Sequence, residues 1–331
     1  MTKKKKSLTI ETDLSGLFSQ PKATKAKTVQ PTERIERGMS IDQALNTIIR
    51  QMEVSGYRAR TISDYQLYVN HFAEVACVKY LNEITSNHIY AWLSSMNVSN
   101  QTKLTRLKCL KAFLSKCFNN GWLQMKFWTN ITVKVDNKVK EGATDREIRT
   151  LLSVLDLTDF VQLRDAAALL LMYQTGLRIG TVSLLENRHV DLEAKLLRID
   201  GDIVKNHQQI HLPLSDELTQ ILRVLMRQND IIRREYGEKN EYVFITKRGG
   251  RISTSPSHNN IQKRLNKYAK IYNLKNINPH ALRRGFAKNL LDKGANIALI
   301  SKALGHSNIA VTTKYLHLDK EEVANSLREF L

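Results

Sequence analysis

Cysteine is scarce in this chain. Cys77, Cys109 and Cys117 are the only three, too few for an even set of bridges and without metal-ligand spacing. Cys109 and Cys117 stand eight apart in a helical pattern and read as small buried hydrophobes in a reducing compartment. Long apolar runs are missing too. The longest, Ala166 to Tyr173, covers eight residues, whereas a bilayer crossing needs about 20. Met1 to Lys6 is basic like a signal peptide, but Glu11 and Asp13 interrupt the apolar stretch that should follow. The expectation is a cytoplasmic protein with no membrane partner. Neither a glycine-rich phosphate loop nor an internal repeat is visible. Acid is short relative to base, 32 Asp and Glu against 51 Lys and Arg, which leaves a formal charge of +19. With the membrane set aside, nucleic acid is the partner such a charge expects.

The 331 residues exceed one ordinary core and suggest two domains plus tails. Residues 1–38 read as a basic tail, with Lys3 to Lys6, Lys22, Lys25 and Lys27 and little periodic apolar content. Such a segment cannot bury enough surface to offset its ordering entropy. It reads as a solvated arm and as an arm lying on DNA phosphates, two readings that can both hold. Residues 39–125 read as a small helical domain. Ser40 caps a face of Ile41, Ala44, Leu45, Ile48 and Ile49. Further helices fit Arg60 to Ala76, a segment capped by Thr85, and Gln101 to Phe118. The last carries Lys103, Arg106, Lys108, Lys111 and Lys116 with no acid between them. That density of like charge marks Lys103, Arg106, Lys108 and Lys111 as candidate phosphate contacts, against the alternative of a solvated face.

Residues 126–141 read as a linker and 142–331 as a second domain. Thr144 suits the cap of Asp145 to Leu155, and Leu163 to Thr175 is an apolar helix that must be buried. Three runs, Leu196 to Asp200, Gln209 to Leu214 and Tyr242 to Ile245, suggest a small sheet. Helices fit Asp216 to Glu235, Asn259 to Tyr272, His280 to Lys293, Ile297 to Ala303 and Glu321 to Phe330. The fold class expected is mainly α with a small β-sheet.

Four local patterns carry chemistry. They are Thr175-Gly176-Leu177-Arg178, Lys205 between the first two strand runs, His280-Ala281-Leu282-Arg283, and Leu304-Gly305-His306 with Tyr315 nine residues after His306. Each alone has an ordinary reading as a surface charge or a turn residue. Together they supply what metal-free phosphodiester cleavage needs. Two guanidiniums grip non-bridging oxygens in fork geometry. A phenol, with an ordinary pKa of about 10, needs a base or a strongly positive site to act as nucleophile. A lysine can protonate the leaving oxygen. Cleavage by metal ions would call instead for clustered carboxylates. Asp200 and Asp202 are the nearest pair and have no acidic helper. No metal and no cofactor are expected.

The order Arg178, Lys205, His280-x-x-Arg283, Leu304-Gly305-His306, Tyr315 resembles the complete active-site series of the tyrosine recombinases, or phage integrase family. The resemblance covers residues 142–331 closely. Residues 40–124 resemble the family's helical core-binding domain more weakly. It implies that Tyr315 attacks phosphorus to give a 3′-phosphotyrosine, that Arg178 and Arg283 hold the scissile phosphate, and that Lys205 protonates the 5′-oxygen. It gives His280 a role in proton transfer at Tyr315, and His306 a hydrogen bond to the phosphate. It further implies double-stranded DNA sites as partner, clamped between the two domains, and a homotetramer on paired sites. A terminal helix presenting Val323, Leu327 and Leu331 could dock on a neighbouring subunit or on its own domain.

The chain departs from the family at Thr181, where an acidic residue is usual three positions after the arginine, and at Arg284, where many members have histidine. His71, His88, His189, His207, His211 and His258 show no partner spacing and read as structural or solvated. The leading function is a site-specific recombinase. The alternatives are a DNA-binding transcriptional regulator that kept the fold and lost recombination, and a relaxing topoisomerase of related chemistry.

Overall fold

Ser40 opens the first helix by the reciprocal cap its sequence suggests. Its hydroxyl accepts from the Gln43 amide at 3.2 Å, and the Gln43 side chain returns to the Ser40 amide at 3.4 Å. The computed structural model of the chain describes residues 38–136, 140–204, 209–255, 257–306 and 308–316, the last three of these by backbone alone. Contacts divide the chain into two units, Met1–Asn137 and Lys138–Leu331.

The first unit holds α1 (Ile41–Val54), α2 (Ala59–Ala76), α3 (Ser86–Ser95) and α4 (Asn100–Asn119). α2 packs on the other three. Ile48, Phe72, Trp92, Leu110 and Phe113 are fully buried between them. The Trp92 indole, which needs an acceptor once buried, donates to His71 Nδ1 at 2.8 Å. Cys117 is buried and Cys109 half-buried, with burial pushing both thiols up to about 12. Cys77 is exposed instead, in the left-handed turn that ends α2. The segment read as a linker begins as part of this core. Trp128 and Ile131 are 1% and 2% exposed, and Lys111 Nζ donates to the carbonyls of Thr129 at 2.8 Å and Ile131 at 3.0 Å.

The second unit holds α5 (Asp145–Val154), α6 (Phe160–Thr175), α7 (Ile179–Val182), β1 (Val190–Asp191), β2 (Leu196–Ile199), β3 (Ile210–Pro213), α8 (Asp216–Tyr236), α9 (Asn260–Ile271), α10 (Pro279–Asp292), α11 (Ile297–Ala303) and α12 (Ile309–Leu316). α6 is central and packs on α5, α7, α8, α9 and α10. Every residue from Leu163 to Tyr173 is buried, including Arg164 and Asp165. A carboxylate at that depth must be paired. Asp165 accepts from Arg164 at 2.7 Å, from Tyr268 at 3.0 Å and from Arg264 Nε. At the other end, Tyr173 donates to Asp145 at 2.6 Å and accepts from Asn289 at 2.7 Å, joining α6 to α5 and α10.

The sheet is antiparallel in the order β1-β2-β3, with Leu197 opposite Val190 on one side and Leu212 on the other. Its third strand is therefore Val190–Asp191, not the expected run from Tyr242 to Ile245. In that run Val243 to Ile245 are buried, but the chain bends at Val243 and Phe244 and makes only isolated bridges, Tyr242 to Glu186 and Ile245 to Arg251. Its apolar pattern reports burial, which a ladder and a packed connection produce alike. The expected helix Glu321 to Phe330 and the tail 1–37 lie outside the described residues. Among the described residues no helix is long and apolar enough to cross a membrane.

Candidate active site

α6 ends where its apolar run meets Gly176. This residue takes the left-handed conformation, φ 67°, and its amide bonds back to the Met172 carbonyl at 2.9 Å. A Cβ here would lie 2.4 Å from Phe286 Cδ1 and 2.9 Å from Leu304 Cδ2, so glycine also allows α10 and the end of α11 to close on the turn. The chain leaves the turn through buried Leu177 and places Arg178 at the N-cap of the single-turn α7.

The second element is α10. Asn278 caps it by accepting from the Ala281 amide at 3.0 Å, and Pro279 occupies its first turn. His280 follows at the surface, and Arg283, one turn on, is 2% exposed. The third element is the end of α11. Gly305 turns left-handed, φ 60°, and the His306 amide returns to the Ser301 carbonyl at 2.9 Å. This reversal carries the His306 ring back towards α10.

Arg283 joins the three. Its Nη1 donates to the Gly176 carbonyl. Its Nη2 donates to the Leu304 carbonyl at 2.6 Å and meets His306 Nε2 at 2.9 Å. A guanidinium can only donate, so Nε2 is the accepting nitrogen and the ring proton sits on Nδ1. Nδ1 lies 2.8 Å from Thr312 Oγ1 on α12. The His306 imidazole is driven down to about 4, by burial first and then by the Arg283 and Arg178 charges. His280 is also held below its ordinary value, by desolvation and then by Arg284, Arg283, Arg178 and Lys140; the solvent on its open edge weakens that shift. Both rings are therefore neutral near pH 7 in a strongly positive surround. Such a site attracts an anion and leaves each imidazole able to accept a proton.

Of the six residues singled out by the sequence, the structure brings Arg283 and His306 into contact and sets Arg178 within electrostatic reach of both imidazoles. Tyr315 falls in the last turn of α12, and its side chain lies outside the described residues, as does Lys205. Thr181, at the position where the family has acid, is 6% exposed and donates to the Ile203 carbonyl at 3.3 Å. Its hydroxyl ties α7 to the chain two residues ahead of Lys205. Arg284 Nε donates to the Glu141 carbonyl at 2.9 Å. Asp200 is engaged by Arg188, and among the described residues no group of three His, Cys, Asp or Glu is placed to hold a metal. Thr312 is absent from the expected set, because α12 itself is not visible as a helical pattern. The only local signal is a threonine one turn before the tyrosine.

The basic face of α4 divides. Lys108 is exposed and Lys103 half-buried. Arg106 stacks 5.6 Å over the Tyr68 ring, and Lys111 is committed to the two carbonyls of the 129–131 segment.

Residues 143–322 match the phage integrase family. Among curated relatives, tyrosine recombinase XerC of Serratia marcescens is 30% identical over 222 residues, 66% of this chain and 69% of the relative. XerC of Histophilus somni is 28% identical over 220 residues, 66% of this chain and 71% of the relative. Among solved structures, the Tn1549 transposon integrase in complex with a circular intermediate DNA shares the fold at a TM-score of 0.72 and 17% identity, over 88% of this chain and all of that one. The XerH site-specific recombinase bound to a palindromic difH substrate gives 0.65 at 20% identity, over 87% and 84%. The comparisons give no support to a transcriptional regulator. The chain belongs to the phage integrase family and is a tyrosine site-specific DNA recombinase.

Proposed function

We propose that this recombinase cleaves and rejoins double-stranded DNA through Tyr315, without metal or ATP. The tyrosyl oxygen attacks the scissile phosphorus and the bond to the 5′-oxygen breaks, giving a 3′-phosphotyrosine and a 5′-hydroxyl. The tyrosyl proton passes to neutral His280, and Lys205 protonates the leaving oxygen. Arg178 and Arg283 hold the non-bridging oxygens, where charge accumulates. His306 hydrogen-bonds the same phosphate. A 5′-hydroxyl from a second DNA then attacks the phosphotyrosine, whose bond energy is conserved. The observation that carries this reading is the convergence of Arg283 and His306 beside the Arg178 charge. Lys103 and Lys108 contact flanking phosphates. The reaction takes place in the cytoplasm in a homotetramer assembled on paired sites.

The test is a covalent adduct on a nicked target duplex, seen on a denaturing gel. Tyr315→Phe is expected to bind DNA and form no adduct; an adduct that persists rejects the assignment. Lys205→Ala is expected to retain affinity and slow cleavage by roughly 10²- to 10⁴-fold. Sulfur at the bridging 5′ position needs no proton to leave and should restore much of that rate. If sulfur restores nothing, Lys205 is not the acid.

A further inference from the structure

Among its described side chains, α12 shows the reverse of the burial expected of a packed helix. Its apolar residues Ile309 and Val311 are 50% and 41% exposed, while Thr312 is 0% exposed. Asn308, Ala310 and Thr313 are exposed too, so Thr312 is the only buried side chain among the described residues of this helix. Helices on a protein surface turn apolar groups inward because water expels them. A hydroxyl gains nothing from that and costs free energy when buried without a partner. Thr312 has one: Oγ1 lies 2.8 Å from His306 Nδ1, on the far side of the ring from Arg283.

The two neighbours of the ring differ in kind. Arg283 can only donate, so Nε2 must accept while the two are paired. A phosphate oxygen can only accept. Before His306 can donate to a phosphate, Nε2 must therefore gain a proton, from solvent or by transfer of the ring proton from Nδ1. Threonine both donates and accepts, so it can hold Nδ1 in either case. It also stands three residues before Tyr315 on the same helix.

We propose that Thr312 is a positioning residue for DNA cleavage: its hydroxyl anchors His306 through Nδ1, leaves Nε2 as the ring atom whose protonation changes at the phosphate, and couples that ring to the helix bearing Tyr315. The proposal rests on the reading that His306 engages the scissile phosphate.

Thr312→Val keeps the shape and removes the hydroxyl; Thr312→Ser keeps the hydroxyl. Adduct formation in a single turnover on pre-bound target duplex is expected to slow about 10- to 100-fold in Thr312→Val, the usual effect of losing a group that orients an imidazole. Thr312→Ser is expected to retain most of the rate. Thr312→Val added to His306→Ala is expected to slow cleavage no further than His306→Ala alone, because the hydroxyl acts through the ring. Nitrogen NMR of the DNA-free protein at pH 7 should show His306 protonated at Nδ1, the form Arg283 imposes, with a shifted Nδ1 signal and a ring broadened by lost anchoring in Thr312→Val but not in Thr312→Ser. If Thr312→Val slows the His306→Ala protein by the same factor as the wild type, Thr312 is a packing residue and the proposal falls. An unchanged ring spectrum in Thr312→Val overturns it as well. His306→Ala that cleaves at the wild-type rate would instead overturn the reading of His306 itself, an outcome separable from the other two.

Discussion

Arg283→Lys keeps a positive charge and removes the fork. In the folded protein the guanidinium donates in two directions, to the carbonyl of the turn after α6 and to that of the turn after α11, and it also holds His306 Nε2. Lysine carries its donors on one nitrogen and lacks the planar fork whose two nitrogens serve the two turns and the imidazole together. The side chain is 2% exposed, so water does not replace what is lost. A buried carbonyl stripped of its donor costs about 1–3 kcal/mol. One carbonyl and the imidazole left unmatched come to about 3 kcal/mol. For a domain the size of the second unit, Lys138–Leu331, each kcal/mol moves Tm by about 2–4 °C. The expected fall is therefore about 6–12 °C, read by scanning calorimetry of the full chain. Lys302→Ala, at an exposed position on α11, is the control and should move Tm by less than about 2 °C. Cleavage by Arg283→Lys should fall by about 10²- to 10³-fold, as for a lost preorganised donor. If its Tm stays within the range of the control, Arg283 is not what fastens the two turns, and the account of how the site is assembled is refuted.

Asp165→Asn should destabilise the second unit by about 3–5 kcal/mol, the usual cost of breaking a buried ion pair, since Arg164 and Arg264 lose their counter-charge; denaturant unfolding reads it directly. On α4, Lys108→Ala should weaken DNA binding for all sequences and flatten the log–log salt dependence by about one, whereas Lys111→Ala should mainly lower the stability of the first unit, because its ammonium is bonded to Thr129 and Ile131. The His306 imidazole sits near 4 in the folded chain against 6.5 ordinarily. Between those values the unfolded chain holds more protons, so stability is unaffected by this ring above about pH 6.5 and declines as pH falls from there towards 4. Calorimetry across that window should show a shallower decline in His306→Ala.

Much of this molecule is written locally. Helix starts could be read at Ser40, Thr85 and Thr144 because a cap needs only a hydroxyl and an amide three residues away. α6 could be read as buried because its apolar run leaves no face for water. The series from Arg178 to Tyr315 was legible as an order of short motifs, and the family assignment rests on the same stretch of chain. Other features exist only once distant segments meet. Arg283 reaches a carbonyl 107 residues away and another 21 away, and nothing near position 283 announces either. Lys111 looked like one more phosphate contact on a basic helix, and its commitment to Thr129 and Ile131 depends on how the 126–131 segment folds back. The run from Tyr242 to Ile245 and the two-residue β1 exchanged roles, because periodicity senses burial while a strand also needs a partner edge. Thr312 is the sharpest case: a threonine among surface residues became the buried partner of His306 when the Gly305 turn folded α12 back onto α10 and α11. Composition, caps and motif order thus determined the fold class and the chemistry on offer. The tertiary structure decided which groups touch, and through those contacts which nitrogen of His306 carries the proton.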